Sequence, residues 1–115
     1  DELINTSDNI LISTACLGGI LNKGRNNKNV FDNFVKFLSD NKHRCFIEIQ
    51  HHNVEDQIEY NKELYKLSKE IGVRLIAGTD THALNERHVK GRKILQKAKD
   101  IYFEDEEGWD LTFKN

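Results

Sequence analysis

The sequence predicts an α/β fold with a parallel sheet, and three observations favour it. Short apolar runs that are typical of strands begin near positions 10, 45 and 73. Each run is followed by a stretch whose apolar residues recur at helical spacing. The resulting unit of roughly thirty residues has the length of a βαβ unit, whose crossover makes neighbouring strands parallel. We therefore expect the element order βαβαβα.

The first unit opens with a mostly apolar run over 9–15, which is rich in β-formers and predicts a buried strand. Gly18 and Gly19 follow it and predict a turn, because paired glycines allow positive φ or a close backbone approach. A short helix over 20–23 and a loop over 24–29 complete this part of the prediction.

The second unit is more regular. Apolar residues at i, i+3, i+4 and i+7 predict a helix over 30–38, and Asn41 is placed to end it in the left-handed conformation. The strand predicted over 44–50 alternates with a period of two residues, so its two faces differ. One face contains Cys45, Ile47 and Ile49, and the other contains Phe46, Glu48 and Gln50.

The third unit begins with a long helix over 54–71, for which Asn53 is the expected N-cap and Gly72 the expected C-terminal stop. A strand over 73–79 follows it and leads directly into polar residues. The inward stripe predicted for this helix consists of Ile58, Leu64, Leu67 and Ile71.

The last part predicts one more helix, over 86–99, with Asn85 as its N-cap. A brief fourth strand over 101–103 and an acidic stretch over 104–109 come after it. The predicted inward stripe of this helix consists of Gly91, Ile94, Leu95 and Ala98.

The composition excludes several classes of function. Seventeen basic and nineteen acidic residues give a net charge of −2, so no overall positive field holds nucleic acid by charge alone. Only two cysteines (Cys16 and Cys45), no signal peptide and only short apolar runs predict a cytoplasmic chain without a membrane span. The sequence has no methionine, and we expect it to be an excised piece of a longer protein.

Reactive side chains follow all three predicted strands. Thr14 and Cys16 follow the first, and Asp80 and His82 follow the third. Asp80 and His82 can converge on one object, because side chains at i and i+2 of an extended segment point the same way. The carboxyl ends of parallel strands share one edge, which favours a joint metal site over isolated polar caps. The second strand ends in Glu48, Gln50, His51 and His52.

Several of these residues also have a simpler interpretation. Cys16 is as easily a small buried hydrophobe. Glu48 could pair with Arg74 across the sheet, and His82 could cap a neighbouring carbonyl. Only one of the two adjacent histidines can face the rim if the strand persists, and His52 has the same parity as Glu48.

Three motifs resemble a known family: residues 12–19 (Ile-Ser-Thr-Ala-Cys-Leu-Gly-Gly), 46–52 (Phe-Ile-Glu-Ile-Gln-His-His) and 78–84 (Gly-Thr-Asp-Thr-His-Ala-Leu). In order and spacing they are similar to the second half of the polymerase and histidinol phosphatase (PHP) domain. More narrowly, they resemble that domain in the bacterial DNA polymerase III alpha subunits. Residues 91–96 and 108–111 fit the same family, so the resemblance covers nearly the whole chain.

The resemblance implies a partial PHP domain over 1–115, part of a distorted parallel (β/α)7 TIM-like barrel. It also implies divalent metal ions (zinc, manganese or magnesium) in a cleft at the carboxyl rim. By motif match, the metal ligands in this chain are Cys16, Asp80 and His82. Position 51 departs from the family, because the polymerase proteins usually carry aspartate where this chain has His51.

The family's opening His-x-His motif and its other early ligands are not found in this sequence. We therefore expect the chain, taken alone, to be inactive and to hold the metal ions incompletely. Half of a barrel also exposes the edges of its sheet, so we expect the fragment to pair or self-associate.

The resemblance implies a parent protein that performs template-directed DNA synthesis in a separate domain. Its PHP part would be a metal-dependent phosphoesterase site or a structural module that docks a proofreading 3'-5' exonuclease. The implied partners are the remaining polymerase domains and DNA, with no membrane. The alternative is a free-standing PHP phosphatase acting on a small phosphorylated metabolite.

Overall fold

The computed structural model describes residues 2–101 and 109–114. Within them, a three-stranded sheet is combined with four α-helices and two single turns of 3-10 helix. In chain order the elements are a 3-10 turn (Leu3–Asn5), β1 (Ile12–Ser13), α1 (Ile20–Lys23), a 3-10 turn (Gly24–Asn26), α2 (Lys28–Asp40), β2 (Cys45–Gln50), α3 (Glu55–Ile71), β3 (Arg74–Gly78) and α4 (Glu86–Ala98).

The sheet is parallel throughout, with the strand order β1-β2-β3. Ile12 of β1 lies beside Cys45 of β2, and Gln50 of β2 lies beside Gly78 of β3. The predicted α/β class and the parallel order are therefore confirmed. The described strands form a small open sheet, and its continuation into a (β/α)7 barrel stays a prediction.

The hydrophobic core lies between one face of the sheet and the helices α2 and α3. Cys45 is fully buried in this core, and burial raises the pKa of its thiol. It therefore serves as a small hydrophobe. The core consists of Leu21, Phe34, Phe37, Leu38, Cys45, Ile47, Tyr60, Leu64 and Val73.

Both core helices have well-defined ends. At the start of α2, the side-chain oxygen of Asn27 accepts a hydrogen bond from the backbone N–H of Val30 at 3.4 Å. At the end of α3, Gly72 adopts a left-handed conformation with φ 71°, as predicted, and its N–H bonds to the carbonyl of Ser68. These ends fix where the chain leaves each helix and enters β2 and β3.

β1 is shorter and less buried than predicted. Of the run 9–15, only Ile12 and Ser13 form a strand, and Leu11 is exposed. β1 lies at the edge of the sheet, and β2 is its one strand neighbour among the described residues. Ala15, with φ 56°, then turns the chain out of the extended conformation. Apolar content alone therefore overestimated this strand.

Two predictions around α2 were wrong. Part of the predicted loop over 24–29 is a 3-10 helix, Gly24–Asn26, and α2 already begins at Lys28. Asn41 does not adopt the left-handed conformation, since its φ is −120°. Its side-chain amide instead donates a hydrogen bond to the last turn of α2 at 2.9 Å. That bond satisfies a terminal carbonyl, so a left-handed residue is not needed there.

Two predictions about α3 were also wrong. Val54, and not Asn53, is the N-cap residue, and no side chain caps this end. Acidic residues in the first turn supply a favourable interaction with the helix dipole instead. Ile58 is exposed, whereas Leu64 is buried as predicted. The buried face of α3 consists of Gln57, Tyr60, Leu64 and Ser68.

α4 is capped by Asn85 as predicted, because the side-chain oxygen of Asn85 accepts a hydrogen bond from the N–H of His88 at 3.2 Å. The predicted inward stripe is wrong. α4 has no buried residue, and Ile94 and Leu95 are 71% and 56% exposed. No other part of the chain that the structure describes covers this side of the helix.

The predicted fourth strand is not confirmed. Ile101 is not in a strand, and positions 102 and 103 lie outside the described residues, as does most of the acidic stretch that follows. Among residues 2–101 and 109–114, none of the helices combines the length and apolar character needed to cross a bilayer.

Candidate functional site

The carboxyl ends of all three strands lie at one edge of the sheet, because the strands are parallel and in register. At this edge Glu48 lies beside Ile76, and Gln50 lies beside Gly78. The turn that contains Cys16 and the segment that contains Asp80 and His82 both leave the sheet here. We call this edge the carboxyl rim.

Glu48 is the centre of a polar network just below the carboxyl rim. Its carboxylate accepts a hydrogen bond from the hydroxyl of Ser13 at 2.8 Å and another from the side-chain amide of Gln50 at 3.0 Å. Its backbone N–H donates to the hydroxyl of Thr14 at 3.0 Å. Through Glu48, the ends of β1 and β2 are held in a fixed relation.

The Glu48 side chain lies directly across Gly78. A Cβ atom at position 78 would stand 2.7 Å from the carboxyl carbon of Glu48, so no larger residue fits while Glu48 keeps its place. The alternative pairing of Glu48 with Arg74 is not formed, because the Arg74 guanidinium lies over the ring of Phe46, 5.4 Å from its centroid. Gly78 therefore has a steric reason to be glycine.

Asp80 and His82 are held by an unusual backbone conformation. Asp80 has φ 48°, a left-handed value that is uncommon for residues other than glycine. Its carbonyl oxygen lies 2.7 Å from Nδ1 of His82, and the hydroxyls of Thr79 and Thr81 are 2.9 Å apart. When Nδ1–H of His82 donates to this carbonyl, Nε2 keeps its lone pair. Such a fixed tautomer is the form in which histidine binds metals.

His52, two residues after the end of β2, joins this group. The strand does not persist to position 52, so the predicted parity does not explain this placement. Its Nε2 lies 3.5 Å from Oδ2 of Asp80, and its side chain has no solvent exposure. Burial lowers the pKa of His52, and the nearby Asp80 carboxylate opposes that effect. Neither ring nitrogen has a hydrogen-bond partner among the described residues. The sequence left the role of His52 open, and the structure places it against Asp80.

A C-terminal segment, residues 109–114, closes over this group. The backbone N–H groups of His82 and Ala83 donate to the carbonyl of Leu111 at 2.9 and 3.0 Å. Trp109 places its ring against the imidazole of His52, with centroids 4.4 Å apart. No sequence pattern indicated this contact, because periodicity does not link residues so far apart.

The segment has its own polar anchor. Asp110 accepts hydrogen bonds from the hydroxyl and the N–H of Thr112 at 2.7 and 3.2 Å, and lies 3.1 Å from the ammonium group of Lys114. These bonds lower the pKa of Asp110 to about 2, and the bond from the Thr112 hydroxyl has the largest effect. The carboxylate is therefore charged at any physiological pH.

Cys16 lies in the turn after β1 and is partly buried as a free thiol. Its carbonyl accepts a hydrogen bond from the N–H of Gly19 at 2.8 Å, and a Cβ at Gly19 would stand 3.0 Å from that oxygen. Within the described part of the chain, no three His, Cys, Asp or Glu side chains lie close enough to hold a metal ion together. The structure thus brings Asp80 and His82 together, and the joint role of Cys16 stays a prediction.

Comparison with known proteins adds one relative. No family model matches the sequence. The chain is 30% identical to a DNA polymerase III subunit alpha of Borreliella burgdorferi over 101 residues, which cover 83% of this chain. This chain is related to part of a polymerase alpha subunit.

The chain spans 8% of the length of that subunit. The sequence similarity extends over most of this chain, so it is not limited to one short motif. The similarity supports a relation to a polymerase alpha subunit and shows neither a PHP domain nor a metal site.

Proposed function

We propose that this chain is the second half of the PHP domain of a DNA polymerase III alpha subunit. The sequence relation to such a subunit and the three motifs at the strand ends support this proposal. The observation that carries it is the Asp80–His82 pair on a parallel-sheet rim, with Asp80 in a left-handed conformation. Backbone strain of this kind clusters at functional sites.

The donor types of Asp80 and His82 suit a divalent metal ion, and the described residues supply no third ligand side chain beside them. Asp80 offers carboxylate oxygens, and Nε2 of His82 is kept free by the bond at Nδ1. Cys16 would supply a thiolate, which suits zinc, and oxygen ligands suit manganese or magnesium. When bound, the ion would supply Lewis acidity and a bound water of lowered pKa for phosphoester hydrolysis. Further ligands would come from parts of the parent outside this chain.

For the parent protein we propose template-directed DNA synthesis in the cytoplasm. Its partners would be DNA and the other polymerase domains, and the nucleotidyl transfer would take place in a separate catalytic domain. The role of this chain's own residues is local. The Glu48 network holds the strand ends, and the segment 109–114 encloses the Asp80 side of the rim.

A second function is a structural one, in which this part of the parent docks other proteins such as a proofreading exonuclease. One observation favours it: the exposed apolar side chains of Ile94 and Leu95 on α4. Replacing both with serine in the full-length polymerase should then weaken its association with the exonuclease. Unchanged association, measured by co-purification, would exclude α4 as the contact.

The metal site is tested by metal analysis of the purified chain. Wild type should retain zinc or manganese after desalting, and Asp80→Ala and His82→Ala should lose most of it. His43→Ala, which removes an exposed histidine elsewhere, is the matched control and should retain metal like wild type. Equal and negligible metal in all four proteins would refute the claim that this chain retains a metal site.

A further inference from the structure

We propose that His52 is a positioning residue for Asp80: its Nε2–H orients the Asp80 carboxylate for the metal ion, and Trp109 holds the imidazole in place. The inference rests on the proposed function, since it assigns a role beside the metal ligands and not among them. Three observations carry it: the burial of His52, its distance from Asp80 and its contact with Trp109.

Burial of the His52 imidazole lowers the stability of the fold unless its ring nitrogens make a compensating interaction. Its side chain is fully enclosed, yet both nitrogens lack hydrogen-bond partners among the described residues. A buried polar group without a partner destabilises a protein. A leucine or phenylalanine could fill this space without that cost. An imidazole here is best explained by an interaction that becomes complete when the site is loaded.

The acceptor for that interaction is the carboxylate of Asp80. Nε2 of His52 lies 3.5 Å from Oδ2, and Nδ1 of His82 lies 3.7 Å from Oδ1. The carboxylate therefore stands between a buried and a half-exposed imidazole. A distance of 3.5 Å is longer than a normal hydrogen bond, and such contacts often tighten only in the loaded site. Histidine and carboxylate partners behind metal ligands commonly orient them in this way.

Trp109 fixes the position of the imidazole from the other side. The two ring centroids are 4.4 Å apart at an interplanar angle of 39°. The segment that follows Trp109 is held by the backbone bonds from His82 and Ala83 to Leu111. The segments that carry Trp109 and Asp80 are thus joined, which fixes the His52 ring relative to the Asp80 carboxylate.

The test is the metal affinity of the chain, measured by competition with a chelating dye for zinc and for manganese. His52→Ala should weaken the affinity about 10- to 100-fold, the usual effect of losing an outer partner. His52→Gln should recover most of it, because its amide nitrogen can donate from nearly the same place. The control is His51→Ala, an exposed neighbour, which should bind like wild type. Circular dichroism checks that each variant is folded.

The possible outcomes are distinct. If Asp80→Ala loses metal while His52→Ala binds like wild type, the positioning role is wrong and the proposed function stands. If His52→Ala and His52→Gln are weakened equally, donation by the side chain is wrong. If wild type itself binds neither metal, the proposed function fails and the positioning role fails with it.

A second measurement does not depend on metal. Nitrogen-15 NMR of the metal-free chain should show the proton of the neutral His52 ring on Nε2. Asp80→Asn should shift that nitrogen signal, whereas Asp56→Asn, an exposed change on α3, should not. A proton on Nδ1, or a signal unaffected by Asp80→Asn, would overturn the contact on which the inference depends.

Discussion

The two faces of the sheet differ sharply in what they contact. On one face, Cys45 and Ile47 are fully buried against α2 and α3. On the other face, Phe46 and Glu48 are only partly buried, and Ile76 is 37% exposed. The first face is apolar and well packed. The second carries the Glu48 network and leads to the carboxyl rim.

Because of this difference, the residues that stabilise the fold and the residues of the candidate site lie on different faces of the sheet. The free energy of folding comes mainly from apolar area removed from water, and that area lies on the helix side. The polar face contributes the hydrogen bonds of the Glu48 network, which hold the ends of β1 and β2 at the carboxyl rim. Changes on the two faces should therefore have different consequences for stability.

The largest effect is expected from a cavity on the packed face. Ile47→Ala should lower the free energy of unfolding by about 2–5 kcal/mol, because Ile47 is completely enclosed. Ile76→Ala, the same change on the open face, should cost less than about 1 kcal/mol. Urea unfolding followed by circular dichroism measures both. Equal losses would mean that the open face is covered as well as the packed one.

The next effect concerns Gly78. Gly78→Ala should cost about 1–3 kcal/mol, because its Cβ collides with the Glu48 side chain. Gly91→Ala is the control, since nothing lies within 4 Å of a Cβ there, and it should stabilise α4 by about 0.5–1 kcal/mol. Adding Glu48→Ala to Gly78→Ala should restore much of the loss. A double variant as unstable as the sum of both changes would contradict the collision.

Ionisation of Tyr60, a core residue, should make the free energy of unfolding depend on pH. Burial raises its pKa to about 12, against about 10 in the unfolded chain. Below pH 10 the hydroxyl is protonated in both states. Between pH 10 and about 12 only the unfolded chain ionises, so stability should fall by about 1–2 kcal/mol. Urea unfolding at pH 9 and pH 11.5 measures the fall.

Tyr60→Phe is the matched variant for this prediction. It cannot ionise, so its loss between the two pH values should be smaller than that of wild type. At neutral pH it should be as stable as wild type or more stable, because the Tyr60 hydroxyl is buried without a partner among the described residues. An identical fall in both proteins would assign the alkaline loss to other groups.

The smallest effect is expected on α4. Leu95→Ala should change the free energy of unfolding by less than about 0.5 kcal/mol, because Leu95 is 56% exposed. Leu64→Ala on α3, where the side chain is 1% exposed, should cost about 2–5 kcal/mol. Thermal unfolding of the two variants compares them. A large loss for Leu95→Ala would show that α4 is covered, for example by self-association.

Local patterns predicted most of the fold. The alternation of β2 correctly indicated that Cys45 and Ile47 are buried, but Gln50 on the predicted polar face is buried too. The predicted stripe of α2 is only partly confirmed, because buried Phe37 lies outside it. Gly72 and Asn85 correctly marked the end of α3 and the start of α4. The same reasoning failed for α4. Periodicity shows which side of a helix is apolar, but not whether another part of the protein covers that side.

The candidate site was predictable only in part. The spacing argument for Asp80 and His82 assumed an extended segment, whereas β3 ends at Gly78 and Asp80 is left-handed. The two side chains are nevertheless neighbours, with Nδ1 of His82 3.7 Å from Oδ1 of Asp80. The contact of His52 with Trp109 could not be predicted, since it joins distant parts of the chain through tertiary structure. The left-handed conformation of Asp80 was not predicted either, although aspartate adopts it more readily than most residues do.

The central claim is that Asp80 and His82 lie on a metal-binding rim. It is tested most directly by crystals of the chain soaked in Mn²⁺, with diffraction measured at the manganese absorption edge. We predict an anomalous peak within coordination distance of an Asp80 carboxylate oxygen and of Nε2 of His82. Anomalous peaks only at unrelated surface carboxylates, with none at Asp80, would contradict it.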